Sequence, residues 1–204
     1  LIQLTSFSGL KLAASVVLLS PYIPLLFMGE EYGEPAPFLY FISHSDLELV
    51  AAIRQSKAQE FKQTGFDSES YDPQSPEIFE QCKLKWELQQ EGNHQILWQF
   101  YQQLIQLRRS HPALKNLDKR SLEVSVYDDL LLMRRWSGQE QVLYLMNFSN
   151  RAITLAEGVP NGSWQKILDT AEEKWQGAGS ALPEKLSSEQ PITTSAKSFA
   201  LYQA

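Results

Sequence analysis

The stretch Ile23-Pro24-Leu25-Leu26-Phe27-Met28-Gly29-Glu30-Glu31-Tyr32-Gly33 carries six apolar positions straight into a glycine and two adjacent carboxylates. Residues 22–28 are too few for a buried helix and are bounded by Pro21 and Gly29, so they read as a strand buried on both faces. Upstream, Leu4, Phe7, Leu10, Ala14, Val17 and Leu18 recur every three or four positions, and Pro21 follows where a helix must stop. The spacing predicts a helix over 3–19. Helix, tight turn and continuous apolar strand together make the tail of an α/β unit. Ligands meet the carboxyl ends of the strands in such sheets and barrels, which places Gly29, Glu30, Glu31 and Tyr32 where a site belongs.

Downstream, EPAPFLYFISHSD holds two prolines, three aromatics and a histidine and reads as an ordered excursion. Ser45 or Asp46 is placed to cap a helix through LELVAAIRQSKAQEF, with Leu49, Ala52, Ile53 and Phe61 on one side. TGFDSESYDPQSPE is a polar loop, and Pro76 opens a short helix carrying Ile78, Phe79, Cys82 and Trp86. The strongest helical pattern is HQILWQFYQQLIQLRRSHP. Leu97, Phe100, Tyr101, Leu104 and Leu107 form its stripe, Arg108, Arg109 and His111 stand at the negative end of its dipole, and Pro112 closes it. Past about residue 118 the period falls to two. SLEVSVYDD, LLLMRRW, QVLYLMNFS, AITLAE, WQKILDT and SFALYQA are short strands separated by turn residues, which predicts a small antiparallel β-sandwich domain. The stretch EEKWQGAGSALPEKLSSEQ reads as a long exposed loop before the last strand.

Composition narrows the function classes. With 204 residues, 43% hydrophobic and 11% aromatic, the chain has the makings of a real core. Its formal charge is −6, and its basic residues cluster no further than the pairs Arg108-Arg109 and Arg134-Arg135, so it carries no electrostatic footprint for nucleic acid. Pro21 and Pro24 interrupt the apolar stretch 12–28 and argue against a membrane span, and no basic leader precedes it. A single cysteine excludes an internal disulfide and fits a reducing, cytoplasmic setting. His44, His94 and His111 lack metal-ligand spacing, so no metal site is expected. The first residue is Leu1 rather than Met, which suggests a piece whose start lies upstream.

The acidic pair does not have the spacing of a catalytic pair. A retaining glycosidase needs carboxyl groups about 5 to 5.5 Å apart and an inverting one about 6.5 to 9.5 Å, both facing one bond. Adjacent residues leaving a strand point to opposite sides. Two readings remain open for Glu30 and Glu31: one of them anchors the loop through backbone N–H groups or an arginine, or one touches a ligand directly. Glu30, Glu31, Tyr32, Phe38, Tyr40, Phe41 and His44 are the residues here most able to bind a sugar, since aromatic faces stack on sugar rings while carboxylates and imidazole bind hydroxyls. Phe38, Tyr40 and Phe41 also suit packing of the loop, and His44 also suits a place ahead of the helix cap.

SPYIPLLFMGEEYGEPAPFLYFISHSD resembles the eighth barrel strand and following loop of malto-oligosyltrehalose trehalohydrolases, a family of the α-amylase-like glycoside hydrolase clan. The resemblance continues through CKLKW and the helix ending LIQLRRSHPAL. Glycogen branching enzymes look similar at Leu-Leu-Phe-Met-Gly but usually continue into a different aromatic-rich segment, and PAPFLYFISH favours the trehalohydrolase family. The resemblance implies that residues 1–115 are the C-terminal part of a catalytic (β/α)8 barrel and 116–204 a C-terminal antiparallel β domain. It implies retaining hydrolysis of the α-1,4 bond joining trehalose to a malto-oligosaccharide, without a cofactor. Such enzymes carry their aspartate nucleophile, glutamate acid/base and aspartate stabiliser after strands four, five and seven. All three would precede Leu1, so no residue here inherits a catalytic role and the chain by itself is expected to be inactive. Two other classes stay open: a non-catalytic carbohydrate-binding module, with Tyr127, Trp136 and Tyr144 as candidate aromatics, and a purely structural domain.

Overall fold

The computed structural model describes residues 2, 4–64 and 71–204, with 61–64 described for their backbone alone. Helix α1 runs Phe7–Leu19. It starts later than the spacing predicts because Ser6 takes the N-cap, its side chain accepting from the N–H of Gly9 at 3.2 Å. Leu4 lies ahead of the cap and is 85% exposed. The buried face of α1 is wide enough to include two polar residues, Lys11 and Ser15, and the Ser15 hydroxyl is satisfied by donating to the Lys11 carbonyl at 2.8 Å.

The predicted strand over 22–28 needs correction. This segment forms no strand among the described residues, and its side chains are not buried: Ile23 is 84% and Leu25 91% exposed, and Phe27 and Met28 are about half exposed. A run buried on both faces requires a strand on each side and layers above and below it. The described part of the chain supplies none of these at this position.

The chain forms two compact units, Leu1–Gly33 with Glu87–Ala204, and Glu34–Trp86. In the smaller unit, α2 spans Leu47–Thr64 and α3 spans Pro76–Gln81. Asp46 caps α2, its carboxylate accepting from the N–H groups of Glu48 and Leu49. The inward position on α2 is Val50, whereas Leu49 and Ala52 face out, so the apolar side is rotated from the predicted one; the Phe61 side chain lies outside the described residues. Arg54 forks onto Asp72 at 2.8 and 2.6 Å. Of the predicted polar loop, residues 65–70 lie outside the described residues.

In the larger unit, α4 (Gly92–Ser110) buries Leu97, Phe100, Tyr101 and Leu104, as its stripe predicts, and α5 (Pro112–Lys115) follows at once. Strands β1 (Leu122–Tyr127), β2 (Leu130–Ser137), β3 (Glu140–Asn147), β4 (Ile153–Leu155), β5 (Trp164–Asp169), β6 (Lys185–Leu186), β7 (Ile192–Thr194) and β8 (Ser198–Gln203) complete it. Six form one antiparallel sheet in the order β1-β2-β3-β8-β5-β6, and β4 pairs with β7. Alternation sorts the large sheet into two buried faces. Met133, Tyr144, Met146, Phe199 and Leu201 pack with Leu10, Leu18, Phe100 and Leu104 of the helices. Leu132, Leu143, Leu145, Trp164 and Tyr202 pack with Ile192, Ile153 and Leu155 of the small sheet, which gives a sandwich of unequal layers.

The stretch 172–190 is not the exposed loop that its composition predicts. It contains a 3-10 turn, Glu173–Trp175, and strand β6, and it buries Trp175, Leu182 and Leu186. Its apolar residues are too sparse to show a period, yet each is an anchor. Trp175 stands edge-to-face against Phe100 of α4 at 5.1 Å between ring centroids.

Candidate functional site

The apolar run ends in a tight corner. Gly29 (φ 82°) and Gly33 (φ 73°) both occupy the left-handed region that favours glycine, and between them the chain turns twice, with Tyr32 N–H donating to the Gly29 carbonyl at 3.4 Å and Gly33 N–H to that of Glu30 at 3.2 Å. Glu30 folds back on this corner. One carboxylate oxygen accepts from the N–H of Phe27 at 3.0 Å and the other from the Tyr101 hydroxyl of α4 at 3.3 Å. Glu30 is therefore the member of the pair that anchors the loop through a backbone N–H. Glu31, half-buried, makes no hydrogen bond or ion pair among the described residues. The Tyr101 phenol is pushed above its ordinary range, first by burial and then by the negative charges of Glu30 and Glu31.

Tyr32 is fully buried, so its ring presents no face to solvent. Its carbonyl accepts from Nδ1–H of His94 at 2.7 Å; a carbonyl only accepts, which makes Nδ1 the protonated ring nitrogen. The acidic corner is thus held from two sides by α4, through His94 and Tyr101.

The other predicted residues belong to the smaller unit. Phe38 is 67% exposed, and Tyr40, Phe41 and His44 are also exposed. Phe41 meets Phe79 edge-to-face at 5.2 Å, and the Lys57 ammonium lies 4.8 Å from the centre of the Tyr40 ring. The segment is ordered by backbone bonds: Ile42 N–H donates to the Pro73 carbonyl at 2.8 Å, the Tyr71 hydroxyl donates to the Tyr40 carbonyl, and the Gln74 amide both accepts from and donates to the His44 backbone. Cys82 Sγ accepts from Leu39 N–H at 3.3 Å, and Glu34 accepts from Ala36 and Lys85 N–H groups. The prolines and aromatics of this excursion therefore report order, while three rings and an imidazole remain accessible on it.

The helical pattern places Arg108 at the dipole of its own helix. Instead it reaches across to the end of α1, donating to the carbonyls of Leu18 (2.5 Å), Ser20 (2.9 Å) and Tyr22 (2.6 Å). Arg108 thereby sets the direction in which the chain leaves α1 toward the acidic corner. His111 caps α5, its Nδ1 accepting from Ala113 N–H at 3.2 Å, and burial lowers its pKa. The sequence pattern marks neither His94 and Tyr101 as partners of the corner nor Arg108 as the partner of the end of α1. Their only sequence signal is that all three sit on one strongly patterned helix. Among the described residues no group of three or more His, Cys, Asp or Glu is arranged to hold a metal, and no helix is long and apolar enough to cross a membrane.

No protein-family model matches the chain. Malto-oligosyltrehalose trehalohydrolases of Rhizobium sp. (strain M-11) and Brevibacterium helvolum are 40% and 39% identical to it over 154 residues, which is 75% of this chain and 26% of each relative. The chain thus spans about a quarter of the length of the curated relatives it matches. A solved structure described as a putative α-amylase from Salmonella typhimurium superposes on all of this chain and 32% of its own, with a TM-score of 0.75 and 28% identity. The helices and antiparallel sheet are accordingly the closing part of an α-amylase-like barrel followed by a β-sandwich domain. By sequence the chain matches malto-oligosyltrehalose trehalohydrolases, as a portion of the longer proteins that carry that name, and its fold is α-amylase-like.

Proposed function

We propose that this chain is the C-terminal portion of a retaining glycoside hydrolase that cleaves the α-1,4 bond next to the trehalose unit of malto-oligosyltrehalose and releases trehalose. The observation that carries the reading is the 40% identity to trehalohydrolases over three quarters of the chain, and the acidic corner adds a carboxylate free to meet a hydroxyl. In this reading residues 1–115 close the catalytic barrel and 116–204 are the β domain. Glu31 binds sugar hydroxyls, and Phe38, Tyr40, Phe41 and His44 supply stacking faces and an imidazole on the loop that follows. Retaining cleavage needs a nucleophile and an acid/base about 5 to 5.5 Å apart. Glu30 is committed to Phe27 and Tyr101, and Glu31 has no second carboxylate beside it that is free to act with it. The chain therefore contributes binding groups and leaves bond cleavage to residues elsewhere in the enzyme.

The test is release of trehalose from malto-oligosyltrehalose by two proteins. One is the 204-residue chain alone; the other is a chimera in which it replaces the matching quarter of the Rhizobium trehalohydrolase. The expected result is no turnover by the chain and trehalose release by the chimera. A folded chimera that releases none, or that instead branches amylose, would sink the reading. Turnover by the purified chain that disappears in Glu31→Gln would place catalysis in the acidic corner itself.

A further inference from the structure

We propose that His94 and Tyr101 are positioning residues of the acidic corner: from one face of α4 they fix Tyr32 and Glu30, so that Glu30 holds the loop and Glu31 is left as the carboxylate available to a sugar hydroxyl. The two residues are seven apart, two helical turns, and so project from the same side of α4. The corner they hold is short and bracketed by glycines in the left-handed region. Its contact with α4 is close: a Cβ at Gly33 would lie 3.3 Å from a methyl of Leu97, between the two positioning residues in sequence, and 3.8 Å from His94 Nδ1.

The division of labour between the two glutamates follows from their hydrogen bonds. Both Glu30 oxygens are engaged, by Phe27 N–H and the Tyr101 hydroxyl. Rotating Glu30 toward a ligand would break both bonds and leave a phenol, 5% exposed, without its acceptor. Glu31 has no such tie among the described residues. Its direction is instead fixed by its neighbours, Glu30 on one side and the buried Tyr32 on the other, whose carbonyl is held by His94 at 2.7 Å. Removing either α4 contact frees the backbone that aims Glu31, although neither α4 residue touches the sugar.

Assigning a sugar to Glu31 rests on the glycosidase reading, so the test has two arms. In the 204-residue chain, side-chain carboxyl carbon-13 resonances are compared at pH 7. Removal of the Tyr101 hydroxyl in Tyr101→Phe should move the Glu30 carboxyl resonance, because its hydrogen-bond donor is lost, and move that of Glu31 less. In the chimera, Tyr101→Phe should raise KM for malto-oligosyltrehalose about fivefold to tenfold with a smaller change in kcat. Tyr101→Phe combined with Glu31→Gln should be no worse than Glu31→Gln alone. His94→Ala should raise KM similarly, and His94→Asn, which keeps a donor, should restore it in part. An unmoved Glu30 carboxyl resonance in Tyr101→Phe, or a Tyr101→Phe chimera with lowered melting temperature but unchanged KM, would overturn the assignment. If the unaltered chimera makes no trehalose, the glycosidase reading falls with the Glu31 sugar contact, while the carboxyl resonance still decides whether Tyr101 holds Glu30.

Discussion

The guanidinium of Arg135, in β2, donates to the carbonyl of Leu19, the last residue of α1, and the Tyr144 hydroxyl of β3 donates to the same oxygen at 2.9 Å. Arg135 also reaches Tyr144 Oη at 2.9 Å and the Asn116 carbonyl at 2.5 Å. It is 1% exposed and makes no ion pair among the described residues. What stabilises its charge is a set of carbonyls at the negative end of a helix dipole. The β domain thus supplies the C-terminal cap of α1, and with Arg108 it directs the chain into the apolar run and the acidic corner.

Arg135→Ala should therefore be costly. It removes hydrogen bonds from a charged donor to one buried and one partly buried carbonyl, a loss of about 3 kcal/mol, whereas Tyr144→Phe should cost about 1 kcal/mol because Arg135 still serves Leu19. Urea unfolding of the 204-residue chain gives both values. A loss below about 1 kcal/mol for Arg135→Ala would mean that water or another donor replaces it without penalty.

The run 22–28 should make the chain self-associate. Ile23, Leu25 and Met28 are exposed apolar side chains close together in a segment that forms no strand among the described residues, which gives another chain an apolar surface to meet. Ile23→Ser combined with Leu25→Ser should lower the associated fraction in sedimentation velocity without lowering the melting temperature, since neither side chain is packed. A drop in melting temperature would show that the run is buried in solution.

Much of the fold was legible in the sequence, and the losses share a cause. Periodicity located α4 and six of the eight described strands; most of these bury one stripe or one face within this chain, while β1, with Val124 and Val126 exposed, was legible from its alternation alone. It misjudged 22–28 because an apolar run reports what a segment is built to be buried by, and those partners are not among the described residues. It missed β6, which is two residues long, and β7, whose Ile192-Thr193-Thr194 carries one apolar side chain where the equally short β4 carries two. At the site, glycine and carboxylate chemistry marked the corner, but the choice between Glu30 and Glu31 rests on which side faces Phe27 N–H and Tyr101, contacts 3 and 71 residues apart in sequence.

Two glycines separate backbone strain from crowding. Gly92 (φ 45°) opens α4 with nothing within 4 Å of a built Cβ, and Gly33 (φ 73°) has Ile2 Cδ1 at 3.0 Å and Leu97 Cδ2 at 3.3 Å. Gly92→Ala should cost about 1 kcal/mol, the left-handed penalty alone. Gly33→Ala should cost about 2 kcal/mol, because Leu97 sits in the helix core and yields less easily than a surface side chain. Equal losses in urea unfolding would show that the corner relaxes away from α4.

Lys11 gives the chain a distinctive stability profile in mild alkali. Its side chain is fully buried, and its ammonium donates to the carbonyls of Thr170 (2.8 Å) and Trp175 (2.6 Å), tying α1 to the segment after β5. Burial lowers its pKa from 10.5 to about 8, a shift that the nearby Asp169 carboxylate only partly opposes. Between pH 8 and 10.5 the unfolded lysine therefore holds a proton that the folded one has released, so raising the pH across that interval favours the folded state. From pH 8 to about 9.5 the gain should be about 1 to 2 kcal/mol. Above about pH 10 the trend should reverse, because burial raises the phenols of Tyr101, Tyr144 and Tyr202 and their unfolded forms ionise first. Lys11→Met removes the lysine's contribution and leaves the tyrosines. The difference in unfolding free energy between the parent chain and Lys11→Met should accordingly widen in favour of the parent as the pH rises from 8 to 9.5. A difference that stays flat over that range would mean that Lys11 keeps its ordinary pKa in the folded chain and that its ammonium is hydrated where it meets Thr170 and Trp175.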